Sequence, residues 1–276
     1  MYSDRILLTG TTGMLGASFL SYFKDKYDTV ITLNRADCDL LNVAFVSQFL
    51  ATARPDIIIH CAADTNLRRC ENHPEQTLLL HCGLTHALSA YPAKFVYISS
   101  DSVKDPRNFY AKTKLLGEEI ACLNNPQSVI LRTNIYGFNS SSGASLAEWA
   151  LKSFTAGEKI TGYTDVEFNA IYTKQLVEVT YKIVNSAYVG HLDVGGNYAI
   201  SKYEFLQRLC DKFGYDTSLV LSGQLPPPVG GVGRAKSTLL EIEPLKEHFD
   251  VVLSLETGLA MFKEEKNLYD KANKHK

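Results

Sequence analysis

With 276 residues, 45% of them hydrophobic and 21% charged, the chain can fill a real core as one large domain or as a nucleotide-binding core with a smaller lobe. A formal net charge of -2 gives no electrostatic reason to expect nucleic acid or an anionic membrane as partner. The six cysteines (Cys38, Cys61, Cys70, Cys82, Cys122, Cys210) form no C-x-x-C pair and read as small core thiols, not as a disulfide framework or a zinc site. No apolar run is long enough to span a bilayer, and no signal-peptide h-region follows MYSDR, so a reducing, cytoplasmic setting is expected.

From residue 5 to about residue 133, short apolar runs alternate with longer segments of helical spacing. The runs are RILLT, TVITL, DIIIH, KFVYIS and SVILRT; between them lie MLGASFLSYFKDK, VAFVSQFLATA and PEQTLLLHCGLTHALSA. Nearly continuous apolar strands alternating with amphipathic helices imply a parallel sheet covered on both faces, hence a doubly wound, Rossmann-type α/β fold. After Gly137 comes the Ser/Gly-rich stretch FNSSSGAS, then helices near Ser145–Ala156, Thr173–Ser186 and Ser201–Phe213, with HLDVGG as a short strand between the last two. QLPPPVGGVGR is a breaker cluster: Pro226, Pro227 and Pro228 stiffen it, and Gly230, Gly231 and Gly233 let the backbone turn or approach a ligand. The closing KNLYDKANKHK reads as a frayed tail. The division expected is a nucleotide-binding domain over 1–137 plus about 165–198, interleaved with a smaller substrate lobe over about 138–164 and 199–276.

The first strand runs into GTTGMLG and then a helix, placing Gly10, Gly13 and Gly16 at G-x-x-G-x-x-G spacing. That setting suits a tight turn, a backbone that can approach a pyrophosphate, and a helix N-terminus that offers N–H groups and a positive dipole end. The second strand ends at Asn34-Arg35. An acidic residue there suits the ribose hydroxyl of NAD, whereas Arg35 suits the 2′-phosphate of NADP; NADPH is therefore expected, with NADH as the lesser option. Asp39 is placed to accept from the adenine amino group or to cap the helix that follows.

Tyr110 and Lys114 are i and i+4, on one face of the helix FYAKTKLLGEEIA, and Ser100 ends the strand KFVYISS at the sheet's carboxyl edge. Beside a nicotinamide, a lysine ammonium and the oxidised ring would favour the phenolate of Tyr110 and lower a pKa that is ordinarily about 10. Tyr110 would then exchange a proton with an alkoxide, and Ser100 would donate to the developing oxyanion. The seven histidines show no H-x-x-x-H pair, so no metal centre is expected, and no G-x-S-x-G elbow supports a hydrolase.

On these residues the chain resembles an extended short-chain dehydrogenase/reductase, and more narrowly the dTDP-4-dehydrorhamnose reductase branch. TGTTGMLG, SSDSVKD, YAKTK, CAADTNLRRCEN-PE, ILRTNIYG and GRAKSTLL carry the resemblance, most strongly up to Gly137. It implies reduction by NADPH or NADH of a keto group on a nucleotide-linked deoxysugar, for surface polysaccharide or glycan synthesis, with a C-terminal lobe gripping the sugar nucleotide. By position it implies Ser100, Tyr110 and Lys114 as catalytic residues, with Lys114 holding the cofactor ribose. It implies Gly10, Thr12, Gly13, Met14, Leu15 and Gly16 as the pyrophosphate loop, with Asn34, Arg35 and Asp39 nearby. Cys61, Ala62 and Ala63 would lie along the cofactor, and Thr133 beside the nicotinamide. Asp101, Asn134 and Arg234 would meet the substrate. Homodimers are common in such enzymes.

The departures from the branch matter. Ser102 replaces a tyrosine and Asn134-Ile135 replaces Ser-Trp, which puts the exact sugar in doubt. His81 stands where the superfamily has an asparagine that helps place the lysine, and reads either as a proton-relay group or as a histidine satisfied in a helix interface. The connection from Ser100 to Tyr110 is shorter than the branch's, so a more open site and a relaxed or unusual substrate are expected. Two competing readings stand beside the reductase. One is a nucleotide-sugar epimerase or dehydratase, although Asp101 is followed by Ser102 and not by the dehydratase's acidic partner. The other is a non-catalytic NADP-binding subunit similar to the regulatory β subunit of methionine adenosyltransferase.

Overall fold

A computed structural model describes residues 2–35, 39–139, 145–228 and 232–273. Cys38, Gly230, Gly231 and the middle of FNSSSGAS lie outside the described residues. Six strands form one all-parallel sheet: β1 (Tyr2–Thr9), β2 (Tyr27–Leu33), β3 (Ile57–His60), β4 (Lys94–Ile98), β5 (Val129–Thr133) and β6 (Gly190–Val194). Their order is β6-β5-β4-β3-β1-β2. The chain steps from β1 to β2 on one side, then reverses across β1 to β3. That reversal leaves a crevice outside the carboxyl ends of β1 and β3, where open parallel sheets take their ligands.

Alternation of side chains explains why both faces are covered. Ile6 and Leu8 pack with Phe19 and Phe23 of α1 (Met14–Phe23), whereas Leu7 between them packs with Val46 and Leu50 of α2 (Val43–Ala53). The first face also receives α8 (Thr173–Val184); the second receives α5 (Leu84–Ser89) and α6 (Phe109–Asn124). Between β3 and β4 lie α3 (Leu67–Asn72), which the sequence pattern did not announce, and α4 (Pro74–Leu78). The single helix expected over PEQTLLLHCGLTHALSA is broken by a π-helical turn at Leu79–Gly83 that joins α4 to α5 and carries His81. β1 begins three residues before the expected RILLT, through a bulge between Tyr2 and Arg5 that stacks the Tyr2 ring on Tyr27 at 5.2 Å.

A second apolar cluster gathers Phe154 of α7 (Leu146–Thr155), Phe205 of α9 (Lys202–Phe213) and Phe262 of α11 (Leu255–Asn273), with Ile160, Phe168 and Val220 from short strands. α7 and α9 each start in a capping box, Ser145 with Glu148 and Ser201 with Glu204. α10 (Glu243–Phe249) turns back, and its Leu245 joins the sheet's own cluster. The frayed tail expected at the C-terminus is corrected: α11 continues through Asn273, held where described by a Lys266–Asp270 ion pair at 2.7 Å and by Tyr269 stacked on Phe138 at 6.4 Å. Among the described residues, no helix is long and apolar enough to cross a membrane, and no cluster of His, Cys, Asp and Glu could hold a metal ion. Cys61, Cys70, Cys82, Cys122 and Cys210 are all unbridged.

Candidate active site

The glycine turn closes over the crevice. Gly10 adopts φ 72°, and a β-carbon there would stand 2.8 Å from the Ala62 backbone nitrogen. Cys61–Ala63 therefore runs directly against the turn, pinned by the Thr9 hydroxyl, which accepts from the N–H groups of Cys61 at 3.2 Å and Ala62 at 3.1 Å. The Asn34 amide oxygen accepts from both the backbone and the hydroxyl of Thr11, each at 2.9 Å, so the end of β2 staples the same turn. α1 starts at Gly13 with no side-chain cap and no acidic residue in its first turn, leaving its N-terminal N–H groups to an anion. Thr12 is exposed, Met14 is half-buried, and Leu15 is buried in the core beneath the turn. Arg35 is exposed at the end of β2. Asp39 accepts from the Leu41 N–H at 3.0 Å, and the cap of α2 is Asn42, not Asp39.

Ser100, Tyr110 and Lys114 meet at the carboxyl edge of β4. The short connection works because Asp101–Lys104 forms a single 3-10 turn and Asn108 then caps α6, accepting from the Ala111 N–H at 2.9 Å. This brings Tyr110, in the first turn of α6, to the end of β4 that carries Ser100. Burial pushes the Tyr110 phenol up to about 12; the Ser100 hydroxyl pulls it down, and the Asp101, Cys70 and Asp64 charges push it further up. The Lys114 ammonium donates to the Ile98 carbonyl at 2.7 Å and lies 3.9 Å from the centre of the Tyr97 ring. Burial brings Lys114 down to about 7, against the opposing charges of Cys61, Glu118 and Cys82.

His81 is buried with both ring nitrogens engaged: Nε2 accepts from the Asp64 N–H at 2.9 Å, and Nδ1 faces the Thr113 hydroxyl at 2.8 Å. Its ring lies edge-on to Tyr110 at 5.7 Å, and burial drives its pKa to about 3, so it is a neutral packing partner of the tyrosine. Of the two readings of His81, this is the satisfied interface. Glu71 accepts from the Phe109 N–H at 2.8 Å at the start of α6, engaged apart from Asp101.

On the substrate side, Asp101 is buried and accepts from the Ser100 hydroxyl at 3.0 Å and from the Asn134 amide. The Thr133 hydroxyl donates to the Val194 carbonyl at 2.9 Å, tying β5 to β6. Arg234 is exposed on the late loop, which docks against the Ser100–Tyr110 connection through an Asn108 amide donating to the Gly233 carbonyl at 3.0 Å.

Two residues escaped the sequence reading. Lys202, the first residue of α9, lies with its ammonium 3.3 Å from the centre of the Phe168 ring; burial lowers it to about 8, the Asp101 charge raises it and Arg234 lowers it further. It thus brings a second cation within electrostatic reach of Asp101. A basic residue in the first turn opposes the helix dipole, a faint signal that the position is used for something else. Glu118, one turn beyond Lys114, is fully buried: it accepts from the Ser99 hydroxyl and forms an ion pair with Arg132 at 2.6 Å. Its i+4 spacing from Lys114 was the available clue.

A parallel doubly wound sheet, a glycine turn at its crevice, and a serine, tyrosine and lysine at the neighbouring strand end define a protein of the extended short-chain dehydrogenase/reductase class. The chain belongs to the RmlD substrate binding domain family, whose match runs over residues 4–265. It is 27% identical to the spore coat polysaccharide biosynthesis protein SpsK of Bacillus subtilis over 78% of this chain and 82% of that protein. It is 28% identical to methionine adenosyltransferase 2 subunit beta of Xenopus laevis over 89% of this chain and 82% of that protein. Its fold is that of a crystal structure of dTDP-4-dehydrorhamnose reductase from Bacillus anthracis in complex with NADP, with a TM-score of 0.87 at 23% identity, covering 95% of this chain and 99% of that one.

Proposed function

We propose that the protein is an NADP(H)-dependent reductase of a keto group on a nucleotide-activated deoxysugar, serving surface polysaccharide or glycan biosynthesis in the cytoplasm. The observation that carries this reading is the gathering of Ser100, Tyr110 and Lys114 at the carboxyl edge of β4, beside the glycine turn at the crevice. The names of its relatives, a polysaccharide biosynthesis protein and a reductase solved with NADP, support it.

The residues fit a dinucleotide: the close approach of Gly10 to Ala62 and the uncapped start of α1 form a cradle that a side chain would fill. Gly10–Gly16 would hold the pyrophosphate, Arg35 the 2′-phosphate, and Lys114 the ribose. Bound NADPH would supply the hydride. Tyr110 donates the proton to the carbonyl oxygen as it becomes an alkoxide, and Ser100 donates a hydrogen bond to that oxygen. Asp101 and Asn134 orient the sugar. Arg234 and Lys202 meet the anionic nucleotide from the smaller lobe, which we assign to about 138–164 and 199–276.

The test follows NADPH and NADH consumption on adding a freshly prepared dTDP-4-keto-6-deoxysugar, in wild type and Tyr110→Phe. Turnover present in wild type and lost in the mutant is the expected result. Tight NADPH binding with no consumption would favour a second reading, a subunit of a larger assembly, which the similarity to methionine adenosyltransferase 2 subunit beta over 89% of this chain supports.

A further inference from the structure

β3 runs Ile57, Ile58, Ile59 and then His60, and the sheet register pairs His60 with Thr9 at the end of β1. By alternation both side chains continue the face of Leu7 and Ile58, which α2, α5 and α6 cover, so two polar groups stand in rows of apolar ones. Thr9 and His60 are buried, and the rings of Phe95 and Tyr97 lie 6.2 and 5.6 Å from the imidazole. Burying such groups is costly unless their hydrogen bonds are made.

Each side-chain polar atom here has a partner, and the direction of each bond follows from chemistry. β3 ends at His60, so the N–H groups of Cys61 and Ala62 lie beyond the ladder. Both donate to the Thr9 hydroxyl, at 3.2 and 3.1 Å, and fill its two lone pairs. The Thr9 proton is left for His60 Nδ1 at 2.8 Å. On the far side of the ring, the Thr85 hydroxyl on α5 gives its proton to the His81 carbonyl at 2.6 Å, because a carbonyl only accepts. At 3.2 Å it therefore accepts from His60 Nε2. The imidazole is neutral with its proton on Nε2. A proton on Nδ1 would set a donor against a hydroxyl that has no lone pair to offer.

We propose that His60 is a positioning residue for the dinucleotide: through Thr9 it holds the Cys61–Ala63 backbone against the Gly10 turn at the crevice. The proposal rests on the reductase reading. There is no slack between turn and backbone, since a β-carbon on Gly10 would stand 2.8 Å from the Ala62 nitrogen, so a small shift of this segment changes the crevice directly. Without an acceptor at Nδ1, the Thr9 hydroxyl must turn its proton away, and it can no longer hold both N–H groups. The Thr85 bond fixes the other edge of the ring to α5 and, through the His81 carbonyl, to the π-turn. The His81 ring of that turn packs on Tyr110 at 5.7 Å. One tie thus keeps the cofactor side of the site in register with the helix that carries the tyrosine.

Two measurements test this. Proton–nitrogen correlation spectra of the imidazoles, with the His60 signals assigned by their loss in His60→Asn, should place the ring proton on Nε2 with and without NADPH. A proton on Nδ1 overturns the proposal. Equilibrium binding of NADPH is then compared across variants. His60→Phe, which keeps the ring shape and removes both nitrogens, should weaken binding roughly tenfold, and Thr9→Val should do the same. The double variant should be little worse than either, because both remove one tie. His60→Asn, whose amide oxygen can take the Thr9 proton in place of Nδ1, should bind close to wild type. Should His60→Phe fail to fold, Thr9→Val carries the same comparison. A lower melting temperature with wild-type NADPH affinity in these variants would make His60 a core residue only, and overturns the proposal alone. Wild type that binds neither NADPH nor NADH overturns the reductase reading, and the proposal with it.

Discussion

Gly16 sits so close to Gly10 that a β-carbon on Gly16 would stand 2.2 Å from the Gly10 carbonyl oxygen. The obstacle is backbone in a turn that Asn34 and Ala62 already hold, so it cannot give way as a side-chain end would. Gly16→Ala should cost about 1–3 kcal/mol of stability, the ordinary range for overpacking, and weaken NADPH binding because α1 is pushed off the turn. Thermal melts with and without NADPH check both; a variant that melts and binds like wild type would show that the turn is not the cradle.

Lys202 should matter to binding more than to chemistry. If its ammonium meets an anionic part of the substrate, Lys202→Met loses a charge-assisted bond of about 1.5–3 kcal/mol, which is on the order of ten- to a hundredfold in KM, with kcat little changed. The opposite split, a fall in kcat at constant KM, would move Lys202 from the nucleotide to the reacting centre.

Much of this site was legible because its signals are local. Tyr110 and Lys114 share a helix face, Ser100 ends a strand, and Gly10, Gly13 and Gly16 fall in one turn. Lys202 was not legible, because its meaning depends on α9 bringing its charge within electrostatic reach of Asp101 from far along the chain. Nor was the partner of Lys114: the i+4 spacing puts the lysine near the tyrosine, but only the packing of α6 on β4 delivers its ammonium to the Ile98 carbonyl. The fold itself was readable from the alternation of apolar runs, except where tertiary contacts changed an element, as at the π-turn around His81.

The buried Glu118–Arg132 pair gives a stability test. Glu118 is fully enclosed, so Arg132→Met would strand its charge with the Ser99 hydroxyl and leave the His191 ring, 3.4 Å away, as the other polar neighbour. Removing one partner of a buried pair typically costs about 3–5 kcal/mol. Urea unfolding of the variant should show that loss as a lower midpoint with an unchanged slope, and a midpoint equal to wild type would refute it.

His81 predicts how the protein responds to acid. Its folded pKa is depressed to about 3 from the ordinary 6.5, so between those values the unfolded chain binds a proton that the folded one refuses. Its contribution is therefore present above about pH 6.5 and is lost as pH falls toward 3. His60, also lowered by burial, adds to the same fall. Melting temperatures across this range should drop less steeply in His81→Gln than in wild type, with part of the slope surviving through His60. Parallel curves would contradict the assignment.

The second apolar cluster has a bearing on how the chain is made. Its members come from three separated stretches, and the last of them, Leu255, Leu259 and Phe262, lies on α11. Tyr172, at the start of α8, bonds Glu265 on that helix, and Gln175 donates to the Ser254 carbonyl just before it at 3.3 Å. During synthesis from the N-terminus, five strands of the sheet emerge early, while this cluster stays open until the final helix has left the ribosome. A nascent chain that stalls or is cut before α11 would expose Phe154, Phe168 and Phe205 together, an aggregation-prone and protease-sensitive surface beside a sheet whose six strands are already made.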